Sequence, residues 1–310
     1  MAQNVGVDTS KDWLDVGVLE SGERWRLSND AAGWAEMAAH LKGRKKVVIG
    51  IEASGGYERG FMRALLKAGF DVRRINPLRL RRLAQAAGVN AKNDRLDAML
   101  IARFVATLPT RPARLDPVRE RLSELVRTRA QLQSELTRLQ NQASQVREPL
   151  VARLRRRQII QLKAQIVLLD KTIAKLVDAT EELAHKANLM RSVSGVGPVF
   201  CHTLLAFMPE LGQLTSRQAA ALVGVAPFDH DSGKLKGQRT IWGGRQNVRN
   251  VAYMAALVAS RHNPTLKAFH QRLLDDGKAA KLALVAVMRK LIITLNAMLR
   301  TGTPWRDSLA

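Results

Sequence analysis

Four acidic residues have the types and placements to hold a hard cation. Asp8 follows the alternating apolar run Val5–Val7, and Glu52 follows Val47, Val48, Ile49 and Ile51. A carboxylate at the end of an apolar strand is costly unless something binds it. Two such acids, each ending a strand, point to neighbouring positions on one sheet. Asp94 and Asp97 stand i, i+3 at the start of a helix-like segment, a spacing that puts both on one helical face. Oxygen ligands from two strands and a helix suit Mg²⁺ or Mn²⁺. A pair of such ions ~3.5–4 Å apart can activate a nucleophile and stabilise a leaving oxygen in phosphodiester chemistry. Taken singly, each acid has a plainer role: Asp94 as an acid favoured by a helix dipole, Asp8 as support for the turn carrying Thr9 and Ser10.

Ser232 is the candidate nucleophile. From Ser232 to Arg249 the chain has Lys234, Lys236, Arg239, Arg245 and Arg249 and no acid. Such a setting favours a phosphate beside the hydroxyl, and a serine so placed can attack phosphorus and carry a covalent intermediate. By composition alone, Ser232-Gly233 is an ordinary turn. The chain lacks the Gly-x-Ser-x-Gly elbow of a hydrolase and the phosphate loop of an NTP motor. Further basic clusters are Arg73, Arg74, Arg79, Arg81 and Arg82 ahead of Asp94, and Arg153, Arg155, Arg156 and Arg157. Aromatic residues make up 5% of the chain, so backbone contacts rather than a broad stacking platform should dominate affinity for nucleic acid.

The elements that must position these residues follow from periodicity. Residues 1–112 predict an α/β domain in the order β-β-β-α-β-α-β-α. It starts with a hairpin joined by Ser10-Lys11-Asp12, then a mixed sheet with helices packed on it. Residues 113–187 predict a coiled-coil linker. Val118, Leu122, Leu125, Leu132, Leu136, Leu139, Ala143, Val146 and Leu150 keep a 4-3 register broken only by Arg129. Leu162, Ile166, Leu169, Ile173, Leu176, Thr180 and Leu183 repeat it. Pro149 should interrupt or bend the helix, leaving Arg153–Arg157 in a basic connection. Pairing within one chain and pairing between chains both fit. Residues 188–310 predict a mostly helical domain with an irregular stretch over Gly224–Gly244. The turn Gly195-Val196-Gly197 suits either a helix-hairpin-helix grip on a phosphate or an ordinary helix start.

Composition narrows the class. The 310 residues carry 50 Lys+Arg against 27 Asp+Glu, a net charge of +23, whose natural use is to meet a polyanion. One cysteine, Cys201, excludes an internal disulfide and a cysteine zinc cage. The start lacks the pattern of a signal peptide. Arg289 and Lys290 interrupt the most apolar late stretch, so no membrane span is expected.

Three blocks, Val5-Gly6-Val7-Asp8-Thr9-Ser10-Lys11, Gly50-Ile51-Glu52-Ala53-Ser54-Gly55-Gly56-Tyr57 and Lys92-Asn93-Asp94-Arg95-Leu96-Asp97-Ala98, resemble the acidic blocks of the insertion-sequence-110 family of bacterial transposases. Gly195-Val196-Gly197-Pro198 and Gly224-Val225-Ala226-Pro227 with Ser232-Gly233 resemble that family's C-terminal domain. The resemblance implies a RuvC-like, RNase H-type domain whose Asp-Glu-Asp-Asp site maps onto Asp8, Glu52, Asp94 and Asp97. It also implies a coiled-coil linker and a nucleophilic serine at Ser232. Family members use a structured bridge RNA as the guide that pairs with target and donor DNA. They work as homo-oligomers, here expected as a dimer or tetramer, with the acids of one subunit joining the serine of another. The expected setting is bacterial, cytoplasmic and nucleoid-associated. This chain departs from the family where Gly224-Val225-Ala226-Pro227 replaces Gly-Leu-x-Pro and where Asp229 and Asp231 make the serine loop acidic. Two other functions fit the residues: a RuvC-type nuclease using the acids and water alone, and a non-enzymatic nucleic-acid scaffold.

Overall fold

The computed structural model describes residues 3–44, 46–53, 55–88, 94–143, 145–228 and 240–306, with backbone alone for 94–96. The chain divides into two compact units, Met1–Asp116 and Pro117–Ala310.

The first unit is built on a five-stranded sheet. Its strands are β1 (Gln3–Thr9), β2 (Trp13–Val18), β3 (Arg24–Ser28), β4 (Val47–Glu52) and β5 (Asp71–Ile75), in spatial order β3-β2-β1-β4-β5. β1, β2 and β3 pair antiparallel, whereas β4 lies parallel to both β1 and β5. A tight turn closes the first hairpin: Ser10 N–H donates to the Trp13 carbonyl at 2.9 Å, and Ser10 Oγ accepts from Trp13 N–H at 3.0 Å. The side-chain period of two then sorts the residues into faces. Val5, Val7, Leu14, Val16, Ile49 and Ile51 form one buried face with Met37 and Leu41 of α1 (Ala31–Leu41) and Phe61 and Leu65 of α2 (Glu58–Lys67). Asp30 caps α1 by accepting from Gly33 N–H at 2.9 Å.

The other face carries α4 (Asp94–Thr107), preceded by α3 (Pro77–Ala86). Glycine makes this packing close. A Cβ at Gly6 would stand 1.9 Å from the Ala98 carbonyl oxygen and 2.4 Å from the Ala102 nitrogen. At Gly17 it would meet Met99, and at Gly50 it would meet Ile101 and Val105. These three glycines therefore lie on the α4 face. Ile75, Leu80, Leu100, Ile101 and Phe104 fill the space beside them.

The two outer strands are shielded differently. β5 is covered by a returning segment: Ala113 N–H donates to the Val72 carbonyl at 2.7 Å, Arg73 bridges to Pro112, and the Arg73 guanidinium donates to the Thr110 carbonyl at 2.7 Å. β3 has five residues and carries Arg24 and Arg26.

In the second unit, α5 (Pro117–Ala143) and α6 (Pro149–Asp178) pack on each other within the chain. They run antiparallel. Arg129, the polar break in the first seam, bonds Asp170 at 3.0 Å, and Arg155 donates to Gln142 Oε1 at 2.7 Å. The basic run is not a connection. Pro149 starts α6, with Glu148 as its cap accepting from Leu150 N–H at 2.7 Å, so Arg153–Arg157 are helical. Proline lacks the N–H that a first helical turn leaves unused, and it begins a helix as readily as it breaks one.

The remaining helices are α7 (Glu181–Arg191), α8 (Pro198–Phe207), α9 (Ser216–Val223), α10 (Gln246–His262), α11 (Pro264–Asp275) and α12 (Ala280–Thr301), with a ribbon of β6 (Pro227–Phe228) and β7 (Thr240–Ile241). By length and composition α12 could cross a bilayer, contrary to the expectation that no span would qualify. Here it supplies core: Val287, Leu291, Ile292 and Leu295 are buried, and buried Asn296 donates to the Leu214 carbonyl and accepts from Gly212 N–H, both at 2.8 Å. Gly195 has φ +102°, and a Cβ there would fall 2.6 Å from that of Ala259, so this glycine serves close packing on α10.

Candidate active site

Strand register places the acids. Val7 pairs with Ile51 in the parallel β1–β4 ladder, so Asp8 and Glu52 are the next positions along, at the carboxyl ends of adjacent strands. Asp8 is two residues beyond Gly6 and Glu52 two beyond Gly50, which puts both on the α4 face. Asp97 adjoins Ala98, whose carbonyl covers Gly6. Asp94 opens the same helix, and its side chain lies outside the described residues. Asp8, Glu52 and Asp97 are each partly buried and each engaged in interactions within the fold. Among the described residues, no three His, Cys, Asp or Glu side chains gather into a ready-made ion cage. What converges is a set of backbone positions: two strand ends and the first turn of a helix, where the dipole favours acids. The donor set is purely carboxylate, which fits a hard divalent cation rather than zinc or copper.

A fifth acid belongs to this row and escaped the sequence reading. Asp15 is the antiparallel partner of Asp8, and Arg26 is the partner of Asp15. Arg26 grips Asp15 with two hydrogen bonds of 2.9 Å, and Asp15 is buried. The row thus reads Glu52, Asp8, Asp15, Arg26 across four strands. The missed signal was the hairpin turn: closing it between Ser10 and Trp13 fixes Asp8 opposite Asp15.

Asn29 ties the loops beyond this row together. Its side-chain N–H groups donate to the Ser10 carbonyl at 2.7 Å and the Tyr57 carbonyl at 3.3 Å, and its Oδ1 accepts from Trp34 Nε1 at 2.9 Å.

The basic candidates separate into two groups. Arg73 holds Asp71 through bonds of 2.7 and 2.6 Å. Arg74 bonds the fully buried Glu58 at 2.7 Å, and Arg245 grips Glu210 at 2.8 and 2.7 Å. These three guanidinium groups hold carboxylates within the fold, and the Arg74 side chain remains 51% exposed. Arg79 lies over the Phe104 ring, 5.1 Å from its centroid, and Arg249 donates to the Gly243 carbonyl. Arg81, Arg82, Arg156 and Arg157 are exposed, while Arg155 reaches Gln142. Ser232, Lys234, Lys236 and Arg239 lie outside the described residues. The ribbon that brackets them is described: Phe228 pairs with Thr240 and Pro227 with Ile241.

The second unit also holds a groove of about 730 Å³, lined in part by Arg129, Asn141, His202, Phe207, Asn247 and Asn250. Burial pushes the His202 imidazole below its ordinary pKa, against an opposing pull from Asp170. Burial raises the Cys201 thiol to about 12.

Known proteins with similar sequences point in one direction. A transposase family model of the Asp-Glu-Asp-Asp, IS110 type matches residues 5–148. A second, described as transposase IS116/IS110/IS902 family, matches residues 187–271. The first implies an RNase H-like domain, in keeping with the mixed five-stranded sheet. The pilin gene-inverting proteins of Moraxella bovis and Moraxella lacunata are each 26% identical to this chain, over 97% of both chains. The IS900 uncharacterized 42 kDa protein of Mycobacterium paratuberculosis is 28% identical over 46% of this chain and 37% of its own length.

Proposed function

Because this chain belongs to the IS110 family of transposases, we propose that it cuts and exchanges DNA strands through a phosphoserine intermediate, guided by a structured RNA and dependent on Mg²⁺ or Mn²⁺. The observation that carries this reading is the placement of Asp8 and Glu52 on adjacent strand ends facing the helix that bears Asp94 and Asp97. These four carboxylates would hold the cation, which when bound supplies positive charge against the oxygens that become negative during phosphoryl transfer.

The chain's own chemistry runs in two balanced steps. Ser232 Oγ forms a bond to phosphorus as the bond from phosphorus to the 3′ oxygen breaks. The proton lost by the serine ends on that leaving 3′-OH. A 3′-OH from the exchanged strand then attacks the same phosphorus, restoring the phosphodiester and releasing serine. Lys234, Lys236 and Arg239, close behind Ser232 in sequence, favour the phosphate. Exposed Arg81, Arg82, Arg156 and Arg157 contact RNA and DNA backbones. The domain plan is a RuvC-like domain over 1–112, a helical linker over 113–187 and a serine-bearing domain over 188–310. Exposed Leu150, Leu154, Ile160 and Leu168 on α6 supply the contact for a homo-oligomer. The names of the Moraxella relatives extend the reading to inversion of a DNA segment between two sites.

The test incubates the protein with guide RNA, DNA and Mg²⁺, then denatures it and looks for DNA joined to protein. Wild type should give an adduct, and Ser232→Ala none. Asp8→Asn should abolish exchange while leaving nucleic-acid binding nearly intact. Cleavage without adduct under trapping conditions would replace this reading with a hydrolytic RuvC-type nuclease.

A further inference from the structure

Two large aromatic side chains stand in water at the carboxyl end of the sheet. Trp13 is 50% exposed and Tyr57 is 52% exposed. Wet tryptophan and tyrosine are not unusual singly, but both of these stand just beyond the strand ends that carry the acids, Trp13 across the hairpin turn from β1 and Tyr57 five residues past Glu52. Trp13 begins β2 and sits two residues before Asp15, so strand alternation puts its ring on the α4 face, beside the Asp8–Asp15 pair. Tyr57 follows Glu52 across the Gly55-Gly56 turn, where both glycines have positive φ. Its ring folds back so that a Cβ at Gly55 would touch it at 3.5 Å.

Both rings are held in place through their backbones. The Trp13 main chain is locked by Ser10 on both its N–H and its carbonyl. The Tyr57 carbonyl and the Ser10 carbonyl share the Asn29 amide, so a single side chain joins the two loops. Each ring also has an exposed cation two residues away, Lys11 on the hairpin and Arg59 after the turn. Arg59 Nε lies 3.5 Å from where a Cβ of Gly56 would be. Aromatic faces interleaved with cations form the pattern that binds single-stranded nucleic acid, the cations following phosphate and the rings stacking on bases.

We propose that Trp13 and Tyr57 stack on unpaired nucleobases of the DNA strand on either side of the phosphodiester presented to the acids. Lys11 and Arg59 neutralise the adjoining phosphates. The pair positions the strand and contributes no atom to the reaction. This inference rests on the acid row being a DNA-processing site.

The test is binding, in EDTA, of the full chain to a short thymidine oligonucleotide, to an abasic strand of equal length and to the matching uridine oligonucleotide. Trp13→Ala and Tyr57→Ala should each weaken thymidine binding about ten-fold. Trp13→Phe should recover most of the loss, and the abasic strand should bind all four proteins alike. Equal affinity of the variants for the thymidine strand would overturn the proposal. An equal loss on the abasic strand would do the same, since it would trace the effect to charge or folding. A loss confined to the uridine strand would replace the DNA platform with an RNA one. No strand exchange is measured, so failure of the phosphoserine chemistry would leave this result standing.

Discussion

Replacing Gly6 with alanine should separate two elements that the acids depend on. The new methyl would stand 1.9 Å from the Ala98 carbonyl oxygen and 2.4 Å from the Ala102 nitrogen, both backbone atoms that no rotamer change can move. Reaching even 3.0 Å, closer than real Cβ contacts come, requires α4 to withdraw from β1 by about 1 Å. Overpacking of this kind costs about 1–3 kcal/mol. In a unit of this size each kcal/mol lowers the melting midpoint by roughly 4–8 °C. The same withdrawal shifts Asp97 relative to Asp8, and a displacement of ~1 Å at a reacting site costs on the order of 100-fold in rate. Denaturant melts and strand-exchange rates would be compared with Gly197→Ala, whose added methyl meets nothing within 4 Å. Wild-type stability together with wild-type rate in Gly6→Ala would refute the close seating of α4 on β1 and the site built on it.

Arg74→Leu strips the guanidinium from the buried Glu58 carboxylate, which also accepts from Gly56 N–H at 2.9 Å, and should cost about 1–3 kcal/mol in a urea melt. Cys201, with its thiol raised to about 12, should resist a thiol reagent at pH 8 in the folded protein and react promptly in denaturant. His202 is held below its ordinary pKa by burial, so the unfolded chain binds its proton more readily. Stability should therefore rise with pH through the interval below the unfolded pKa and level off above about 6.5. His202→Gln should flatten that rise in melts taken across pH 5–8. With a net charge of +23, the logarithm of the affinity for a DNA duplex should fall by about two units or more per tenfold rise in salt, as read by fluorescence anisotropy.

The sheet was legible because β1 and β2 alternate with a period of two and β4 is a continuous β-branched run. Asp8 and Glu52 could be paired from sequence because each closes an apolar run. Asp15 could not be singled out by type or spacing alone, since its place depends on the hairpin register. The helix is interrupted ahead of Pro149 as expected, but Pro149 opens α6, so Arg153–Arg157 fall within that helix and not in a connection. α9 and α11 went unnoticed although both carry capping signals. Thr215 and Gln218 form a capping box, and Asn263 accepts from Leu266 N–H at 3.0 Å ahead of Pro264. Charge density in a sequence does not reveal that Asp71, Glu58 and Glu210 already hold Arg73, Arg74 and Arg245.

The two sides of the sheet discourage strand addition in different ways. On the β5 side, the segment reaching Ala113 occupies part of the row of backbone groups that a foreign strand would use. On the β3 side, a five-residue strand bearing Arg24 and Arg26 offers little length and repels an identical copy of itself. Sheet-to-sheet joining between molecules is thereby disfavoured at both margins. The growing threads that open strand edges invite therefore find a poor starting point on this sheet.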